Sequence, residues 1–487
     1  MLMKRFILMA IALLPLVTFG QKELDLPAVV AMAKQNSPDA AAARTRFENS
    51  DWIYKSYKAD LRPTIALNGT LPNFNSSISA LDLDDGTQQF IPRSLATSLA
   101  NVSLSQNIGL TGGSIFMSTG LQRIDVLGSN ASTSYLSSPI NIGFQQRVFG
   151  YNQFKWLKQT EPMRYEEAQK AFYEEMEQVA IRAVNLFFNY YDAKIARDLA
   201  KLNLANNDTL YKISKGRYQL GKIAEHELLQ MELNVLNAQS DLRQAKIDLS
   251  NAIAELQNYT GMDLSDKNIT LVTPNMSDTF SVDQSAAVKM AMANRSEMVN
   301  MERQLVEAES NMAQAKSNAG PNLNINASYG ISGSNEVLVD AYGNTLPQQQ
   351  FRTGISVPIT TWGKGRAQVK IAESNKDLTE IQVQNQQLNF EQEVINQVNQ
   401  FNFRKREYVI AAKSDTIGQK QYEIAYKRYM IGKIDITDLN LALQRKDQSR
   451  RTHIRAMRNY WVDYYRLRQL TLYDFEQEQG LILEVEE

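Results

Sequence analysis

Apolar and small polar residues alternate one by one in several segments of the chain, and this period of two predicts β-strands. The alternation is complete in 322–331, where every second residue is apolar or Ala and every intervening residue is Asn, Ser or Gly. Shorter runs of the same kind lie at 64–71, 140–145 and 351–359. Runs of about ten such residues are typical of transmembrane strands, but a soluble sheet with one wet face would show the same pattern.

Longer segments repeat their apolar residues every seven positions, which predicts helices that pack as coiled coils. In 224–258 a row of large residues is followed, three positions on, by a row that is mostly Ala. The two rows are Leu228, Val235, Leu242, Leu249 and Leu256, and Met231, Ala238, Ala245, Ala252 and Tyr259. The small residues of the second row would let neighbouring helices approach closely.

A second helical segment, 366–413, is rich in uncharged polar residues. Twelve of the residues from Gln382 to Asn402 are Gln or Asn. Two interpretations remain open at this point. The segment is a solvated helix face, or it is the wall of a water-filled tunnel, where uncharged polar side chains do not bind passing solutes tightly.

Both patterns occur twice, which indicates an internal duplication. Residues 211–230 and 422–441 share eight of twenty positions at a spacing of 211, and 24–58 matches 282–316 at a spacing of 258. We therefore expect two repeats, each with a helix, then strands, then long helices joined at a tip. The expected first repeat covers 21–262, with strands at about 64–149 and a tip at 211–230. The expected second repeat covers 263–475, with strands at about 322–361 and a tip at 422–441, before a C-terminal tail at 476–487.

The strand region of the first repeat is longer than that of the second by 47 residues, the difference between the spacings of 258 and 211. Two alternating runs within it, 100–110 and 114–124, flank the sequence Thr-Gly-Gly, which suits a hairpin turn. The excess is therefore either an extra hairpin or an extension of the strands beyond the bilayer.

The first twenty residues are expected to be a signal peptide that is removed before Gln21. Lys4 and Arg5 precede an apolar run at 6–17, and Gly20 supplies the small residue that signal peptidases require. The run is short for a bilayer span, which disfavours the alternative of an N-terminal membrane anchor. Since no later segment holds 18 consecutive apolar residues, an exported chain would enter a membrane only as strands.

Composition narrows the chemistry that the chain can perform. It has 52 basic and 53 acidic residues, and this balance gives no sign of nucleic-acid binding. It has no Cys and two His residues, which leaves few candidates for a metal site, a nucleophile or a catalytic triad. We therefore expect no enzymatic activity, no metal and no cofactor.

The two tips carry the strongest functional signal. A Gly in each is placed to end a helix in the left-handed conformation. Cations and aromatic residues around it suit the docking of a partner helix, although they could instead lock the turn within the chain. The candidate docking residues are Arg217, Tyr218, Gly221, Lys222 and Leu228 in the first tip, and Arg428, Tyr429, Gly432, Lys433 and Leu439 in the second.

Two carboxylates are candidates for a gate or selectivity filter. Glu227 and Asp438 occupy equivalent positions, six residues past the glycine of each tip. In a symmetric oligomer Asp438 would form a ring of carboxylates, which favours cations.

Together, the signal peptide, the duplicated plan, the alternating strands and the Arg-Tyr-x-x-Gly-Lys-Ile tips resemble the TolC family of outer-membrane efflux proteins. The resemblance covers 21–475 and implies an internally duplicated α+β membrane protein. It implies a homotrimer in which four strands per chain form a twelve-stranded β-barrel, set in the lipid of the outer membrane of a Gram-negative bacterium. A long α-helical, coiled-coil barrel would continue it into the periplasm.

The resemblance also implies partners and residue roles. The tips would meet a periplasmic adaptor protein that is attached to an inner-membrane transporter. Tyr429 and Glu227 match positions that are linked across neighbouring helices, and Asp438 matches the selectivity ring. Ile434 and Leu441 depart from the family pattern, since they stand where a gating arginine and a second ring carboxylate are expected.

These observations predict an outer-membrane channel that acts as the passive exit duct of a tripartite efflux or type I secretion system. The alternative is a periplasmic adaptor or coiled-coil scaffold without a pore. The alternation in 322–331 and 351–359 argues against a scaffold, which has no need of membrane strands. Nucleic acid is not an expected partner.

Overall fold

The computed structural model describes residues 23–82, 86–128, 131–262, 270–272, 274 and 280–482. The expected signal peptide, 1–20, and the end of the C-terminal tail, 483–487, lie outside the described residues. Within them, the chain forms long helices and one large antiparallel sheet.

Most of the helices come in equivalent pairs, one from each repeat. In chain order they are α1 (Leu26–Asn36), α2 (Pro38–Asp60), α3 (Gln153–Gln219), α4 (Glu225–Thr260), α5 (Gln284–Asn294), α6 (Ser296–Ala319), α7 (Asp340–Gly343), α8 (Lys364–Met430) and α9 (Ile436–Thr471). α3 and α8 have 67 residues each, α4 and α9 have 36 each, and α1 and α5 have 11 each. These matched lengths confirm the predicted internal duplication.

Equivalent residues also begin the short helices. A carboxylate oxygen of Asp25 accepts a hydrogen bond from the Ala28 amide at 2.9 Å, and Asp283 accepts one from the Ala286 amide at 2.9 Å. Each N-cap satisfies an amide that has no partner within its helix. Because Asp25 and Asp283 are equivalent at the spacing of 258, the duplication extends to the capping residues.

The strands in chain order are β1 (Glu23–Leu24), β2 (Thr64–Asp82), β3 (Gln88–Ile108), β4 (Gly113–Leu127), β5 (Ser132–Val148), β6 (Thr270–Leu271), β7 (Asn322–Asn335), β8 (Leu346–Ser356), β9 (Tyr473–Asp474) and β10 (Gln479–Gly480). In the described part of the chain, β2, β3, β4, β5, β7 and β8 form one antiparallel sheet in that order. β1 pairs with β6 in parallel, and β9 pairs with β10.

This sheet has six strands, whereas the expectation was four strands per chain. β2 follows α2 as β7 follows α6, and β5 precedes α3 as β8 precedes α8, so β3 and β4 have no counterpart in the second repeat. The two strands form an extra hairpin, whose turn includes Gly112 at φ 75°. The expected count of four strands per chain is therefore corrected to six. The turn reverses the chain, so the excess residues of the first repeat pair with each other as two new strands instead of only lengthening the adjacent strands.

The chain divides into two compact units, and each unit contains parts of both repeats. One comprises 1–46, 171–295 and 391–487, and it holds both tips and all of α4 and α9. The other comprises 47–170 and 296–390, and it holds the sheet. Among the described residues, no helix is both long enough and apolar enough to cross a membrane.

The helical unit has an aromatic core. Phe187, Phe188 and Phe401 are almost fully buried, and the Phe401 ring centroid lies 5.2 Å from that of Tyr460. α4 buries the second row of its predicted heptad repeat, Met231, Ala238, Ala245, Ala252 and Tyr259. Most of its row of larger residues is only partly buried, namely Leu228, Val235, Leu242 and Leu249. This row of mostly small residues therefore packs against other parts of the same chain.

Candidate functional site

The first tip ends α3 with a turn that is closed by backbone hydrogen bonds. The Gly221 amide donates to the Tyr218 carbonyl at 2.8 Å, and the Lys222 amide donates to the Arg217 carbonyl at 2.9 Å. This pair of bonds is a Schellman motif, which satisfies carbonyls at the end of a helix. It requires a left-handed residue, and Gly221 adopts φ 70° without the clash that a side chain would cause.

The second tip ends α8 in the same way. The Gly432 amide donates to the Tyr429 carbonyl and the Lys433 amide to the Arg428 carbonyl, both at 2.9 Å. Gly432 has φ 72°. Since the bonds and the backbone angle agree between the tips, the repeated sequence encodes a repeated turn.

The helices that leave the two turns are capped by different atoms. α4 begins after Ala224, whose amide donates to the Glu227 carboxylate at 3.4 Å. α9 begins after Asp435, whose carboxylate accepts from the Asp438 amide at 2.9 Å. Each tip thus holds one half of the reciprocal capping box. Both candidate gate carboxylates lie in the first turn of a helix, where negative charge is favoured.

The second tip is anchored by a cluster of buried side chains from α3, α4, α8 and α9. The members of this tip cluster are Leu210, Met231, Tyr422, Tyr429, Ile436 and Leu439. Tyr429 is 7% exposed and Leu439 is 2% exposed. These two candidate docking residues therefore pack inside the chain, which agrees with the alternative that they lock the turn.

Polar contacts hold Tyr429 in the tip cluster. Its hydroxyl lies 3.2 Å from the Ser214 hydroxyl and donates to the Met231 sulfur at 3.9 Å. The guanidinium of Arg217 lies 5.6 Å from the centre of the Tyr429 ring and donates to the Met430 carbonyl at 2.9 Å. Arg217, from the first tip, thereby binds both the ring and the backbone of the second tip.

Two turns before Tyr429 in α8, Tyr422 makes a similar set of contacts. Its hydroxyl accepts a hydrogen bond from the Asn206 amide at 3.2 Å, and the Lys446 ammonium lies 4.6 Å from the centre of its ring. Lys446 is 3% exposed and forms an ion pair with Asp447 at 3.2 Å. Burial raises the pKa of the Tyr422 phenol above its ordinary value.

The first tip exposes two large side chains, Tyr218 and Leu220, to solvent. Tyr218, the counterpart of Tyr429, is 40% exposed, and Leu220 is 72% exposed. Leu228 is partly buried, whereas its counterpart Leu439 is buried. The remaining docking candidates lie on the surface of the two turns: Gly221, Lys222, Arg428, Gly432 and Lys433.

Within one chain the gate candidates Tyr429 and Glu227 make separate hydrogen bonds, and the link that the resemblance implies stays a prediction for the assembled trimer. Among the bonds of the described residues, Tyr429 contacts Ser214 and Met231, while Glu227 contacts Ala224. Ile434, which replaces the expected arginine, packs against the tip cluster. Within one chain, an apolar contact thus takes the place of a charged link.

Three residues of the tip cluster and its surroundings were missed by sequence reasoning: Ser214, Met231 as a partner of Tyr429, and Lys446. The heptad row of α4 marked Met231 as buried, but nothing in the sequence marked its partner. Ser214 and Lys446 look like ordinary surface residues of polar helices. In the described ranges, no group of three or more His, Asp or Glu side chains is arranged to hold a metal ion.

Residues 287–471 match a family model described as outer membrane efflux protein. The matched segment begins in α5 and ends with the last residue of α9, so it includes the second tip. This match confirms the resemblance to outer-membrane efflux proteins that the tips and the duplication indicated.

Solved structures of outer-membrane proteins share the fold. The CmeC channel of Campylobacter jejuni is 16% identical with a TM-score of 0.66, covering 92% of this chain and 85% of that chain. The VceC protein of Vibrio cholerae is 13% identical with a TM-score of 0.58, covering 92% and 95%. The MtrE channel of Neisseria gonorrhoeae, in its open state, is 14% identical with a TM-score of 0.61, covering 92% and 88%. These likenesses confirm the predicted fold class.

Proposed function

We propose that this chain assembles as a homotrimer and acts as the passive exit duct of a three-component export system. An inner-membrane transporter would supply the energy, and a periplasmic adaptor protein would dock on the tips. The observation that carries the proposal is a sheet with one exposed apolar face in a chain whose helices end in two matched tips.

The sheet supports a place in the outer membrane. Ile65 and Leu67 in β2 and Phe351 and Ile355 in β8 are each at least 70% exposed, and they lie on the apolar side of the alternation. Exposing so large an apolar surface to water is energetically unfavourable. Lipid would cover it, as it covers the outer face of membrane barrels. A periplasmic scaffold without a pore would have no need of an exposed apolar face on its sheet.

A row of exposed apolar residues on α8 supports the homotrimer. The row repeats every seven positions: Phe403, Ile410, Ile417, Ile424 and, just past the helix, Ile431. α4 exposes Leu229, Leu233 and Leu236 on one stripe. Heptad rows of this kind pack against another helix. Because each row is exposed within one chain, we assign both to contacts with neighbouring copies.

The surface of the tips supports adaptor docking. Lys222, Arg428 and Lys433 are exposed, and the first tip also exposes the ring of Tyr218. Cations next to an aromatic ring and an apolar side chain such as Leu220 suit the end of a partner helix, whose carboxyl terminus carries partial negative charge.

The test is a planar-bilayer recording of the chain from Gln21 to Glu487, purified in detergent, with the oligomer mass measured on the same sample. Small, stable, cation-preferring current steps from a trimer are the expected result. A monomer that stays soluble without detergent and carries no current would overturn the proposal in favour of the scaffold.

The same recording tests the role proposed for Asp438. Its carboxylate is exposed at the start of α9, and three copies would place three negative charges around one axis. Asp438→Asn should lower the preference for cations, measured as the reversal potential in a salt gradient. Glu227→Gln, at the equivalent position of the first tip, tests the second candidate carboxylate in the same recording. An unchanged reversal potential in Asp438→Asn would remove this residue from the pore.

A further inference from the structure

The extra hairpin β3–β4 continues the apolar face of the sheet. Direct register partners form an unbroken row across five strands: Ile65, Leu104, Met117, Ile142 and Tyr329. A second row runs through Ile115, Phe144, Ala327 and Phe351. The hairpin therefore contributes to the lipid-facing band at the same level as the strands that both repeats possess.

The opposite face is polar or small along an equally continuous row. Its register partners are Ala66, Ser103, Ser118, Asn141, Gly330 and Gln348, one from each of the six strands. A sheet with one apolar and one polar face suits a barrel wall between lipid and water. Since β3 and β4 carry both faces, they have the pattern of wall strands and not of a loop that projects from the barrel.

The two edges of the sheet are complementary. Among the described residues, no strand pairs with the outer edge of β2 or of β8. An even number of antiparallel strands makes β2 and β8 run in opposite directions, so that β8 of one copy can extend antiparallel to β2 of the next. Unpaired edges are not tolerated in lipid, and closure into a barrel removes them.

The duplication also gives the register of this junction. Within the chain, β5 of the first repeat pairs with β7 of the second, and Gln146 lies opposite Ile325. The equivalent of Gln146 in the second repeat is Val357, 211 positions later. The equivalent of Ile325 in the first repeat is Leu67, 258 positions earlier. The junction between copies is thus the repeat equivalent of the β5–β7 junction within one copy, with Val357 opposite Leu67. Both side chains are exposed.

From these observations we infer that three copies close an eighteen-stranded barrel, six strands from each copy. The inference rests on the proposed trimeric duct. Two thirds of the wall come from the first repeat, because four of the six strands belong to it.

Eighteen strands give a much wider opening than twelve. With strands about 4.8 Å apart and tilted by about 40°, the backbone diameter is roughly 36 Å for eighteen strands and roughly 24 Å for twelve. After side chains of about 5 Å on each side, roughly 25 Å remains, enough for two α-helices of about 10–12 Å side by side. Twelve strands would admit one. The outer-membrane section of such a duct would therefore be wide enough for a polypeptide with a formed helical hairpin.

Cysteine cross-linking tests the junction, and the natural chain contains no cysteine to interfere. The variant with Leu67→Cys and Val357→Cys should form disulfides between copies and run as a covalent trimer on a non-reducing gel. A twelve-stranded barrel would leave out two strands of each sheet. If these were the outermost pair, β2 and β3, the free edge of the barrel strands would be β4. Thr119 lies at the level of Leu67 through their shared partner Val102. Thr119→Cys with Val357→Cys is therefore the matched control, and it should stay monomeric on the gel.

An electron cryomicroscopy map of the trimer in lipid nanodiscs counts the strands directly. Eighteen strands with β2 beside β8 of the next copy are expected. A trimer with twelve strands, or a covalent trimer from the Thr119 variant, would overturn the inference but leave the trimeric duct standing. Recovery of a soluble monomer from the periplasm would overturn both.

Discussion

The two tips have the same turn, but they bury the same tyrosine to different extents. Tyr218 and Tyr429 each precede the closing glycine by three residues, yet Tyr218 is 40% exposed and Tyr429 is 7% exposed. The local backbone follows from the repeated sequence, whereas burial follows from neighbours that the repeats do not share. Tyr429 meets Ser214 and Met231, and in one chain Tyr218 remains at the surface.

The comparison separates two functions that one motif can serve. In the second tip the aromatic ring locks helices of the chain to one another. In the first tip the equivalent ring is available to a partner. Of the alternatives that the sequence left open, locking describes the second copy of the motif within one chain, and docking stays a proposal for the first.

The largest effect is expected from changing what the tips share. Gly221→Pro combined with Gly432→Pro should abolish export, because proline fixes φ near −65° and cannot adopt the values of 70° and 72° found here. Export of a reporter cargo and the mass of the oligomer would be measured together. Replacing both glycines by Asn, which tolerates the left-handed conformation, is the control and should retain most export. Full export by the proline variant would show that the turns are dispensable.

A smaller and unequal effect is expected from removing the rings. Tyr429→Ala should lower the free energy of opening the tip by about 3 kcal/mol, because it leaves a cavity in the tip cluster. Tyr218→Ala should change it by less than about 1 kcal/mol, as for other surface residues. Amide hydrogen exchange of peptides from both tips measures the two values. Equal losses in the two variants would contradict the division into a locking and a docking ring.

Removing only the hydroxyl groups of the two tyrosines should give a smaller difference between the tips than removing the whole rings. Tyr429→Phe keeps the ring but loses the contacts with Ser214 and Met231, which is worth about 1 kcal/mol. Tyr218→Phe should have no measurable effect on opening of the tip. The same hydrogen-exchange experiment applies, and Ser214→Ala should reproduce most of the Tyr429→Phe loss. A larger loss in Tyr218→Phe than in Tyr429→Phe would be inconsistent with the packing described.

The smallest effect concerns alkaline pH and the second tip alone. Burial raises the pKa of the Tyr422 phenol, so the closed tip favours the neutral form. This contribution is fully present below the ordinary tyrosine pKa of about 10 and is lost as the pH rises through the raised value. Channel conductance should therefore increase above about pH 10. Tyr422→Phe should weaken that increase; an identical pH profile would exclude this residue as its source.

Much of the fold could be predicted because it rests on short-range patterns. The heptad rows of α4, the strand alternation near Asn322 and the Gly at each turn all act within a few residues of one another. The extra hairpin remained one of two alternatives, because alternation alone does not show where a strand ends and the next begins.

Less of the candidate site could be predicted, because its contacts join residues far apart in the chain. Ser214 and Tyr429 are 215 positions apart, and Asn206 and Tyr422 are 216 apart. Alignment of the repeats placed Tyr218 and Tyr429 in the same local position, and it therefore suggested the same environment for both. The difference between them depends on which helix lies opposite, which no local pattern contains.

The equal lengths of the paired long helices restrict how such a gene can diverge. Inserting one residue into a helix rotates everything beyond it by about 100° and moves it by about 1.5 Å, so the heptad seam would lose its partner. A pair of strands can be inserted into the sheet without reversing the chain or disturbing either helix. Descendants of one duplicated ancestor can therefore differ in barrel size in steps of two strands per copy, while the lengths of their long helices stay fixed.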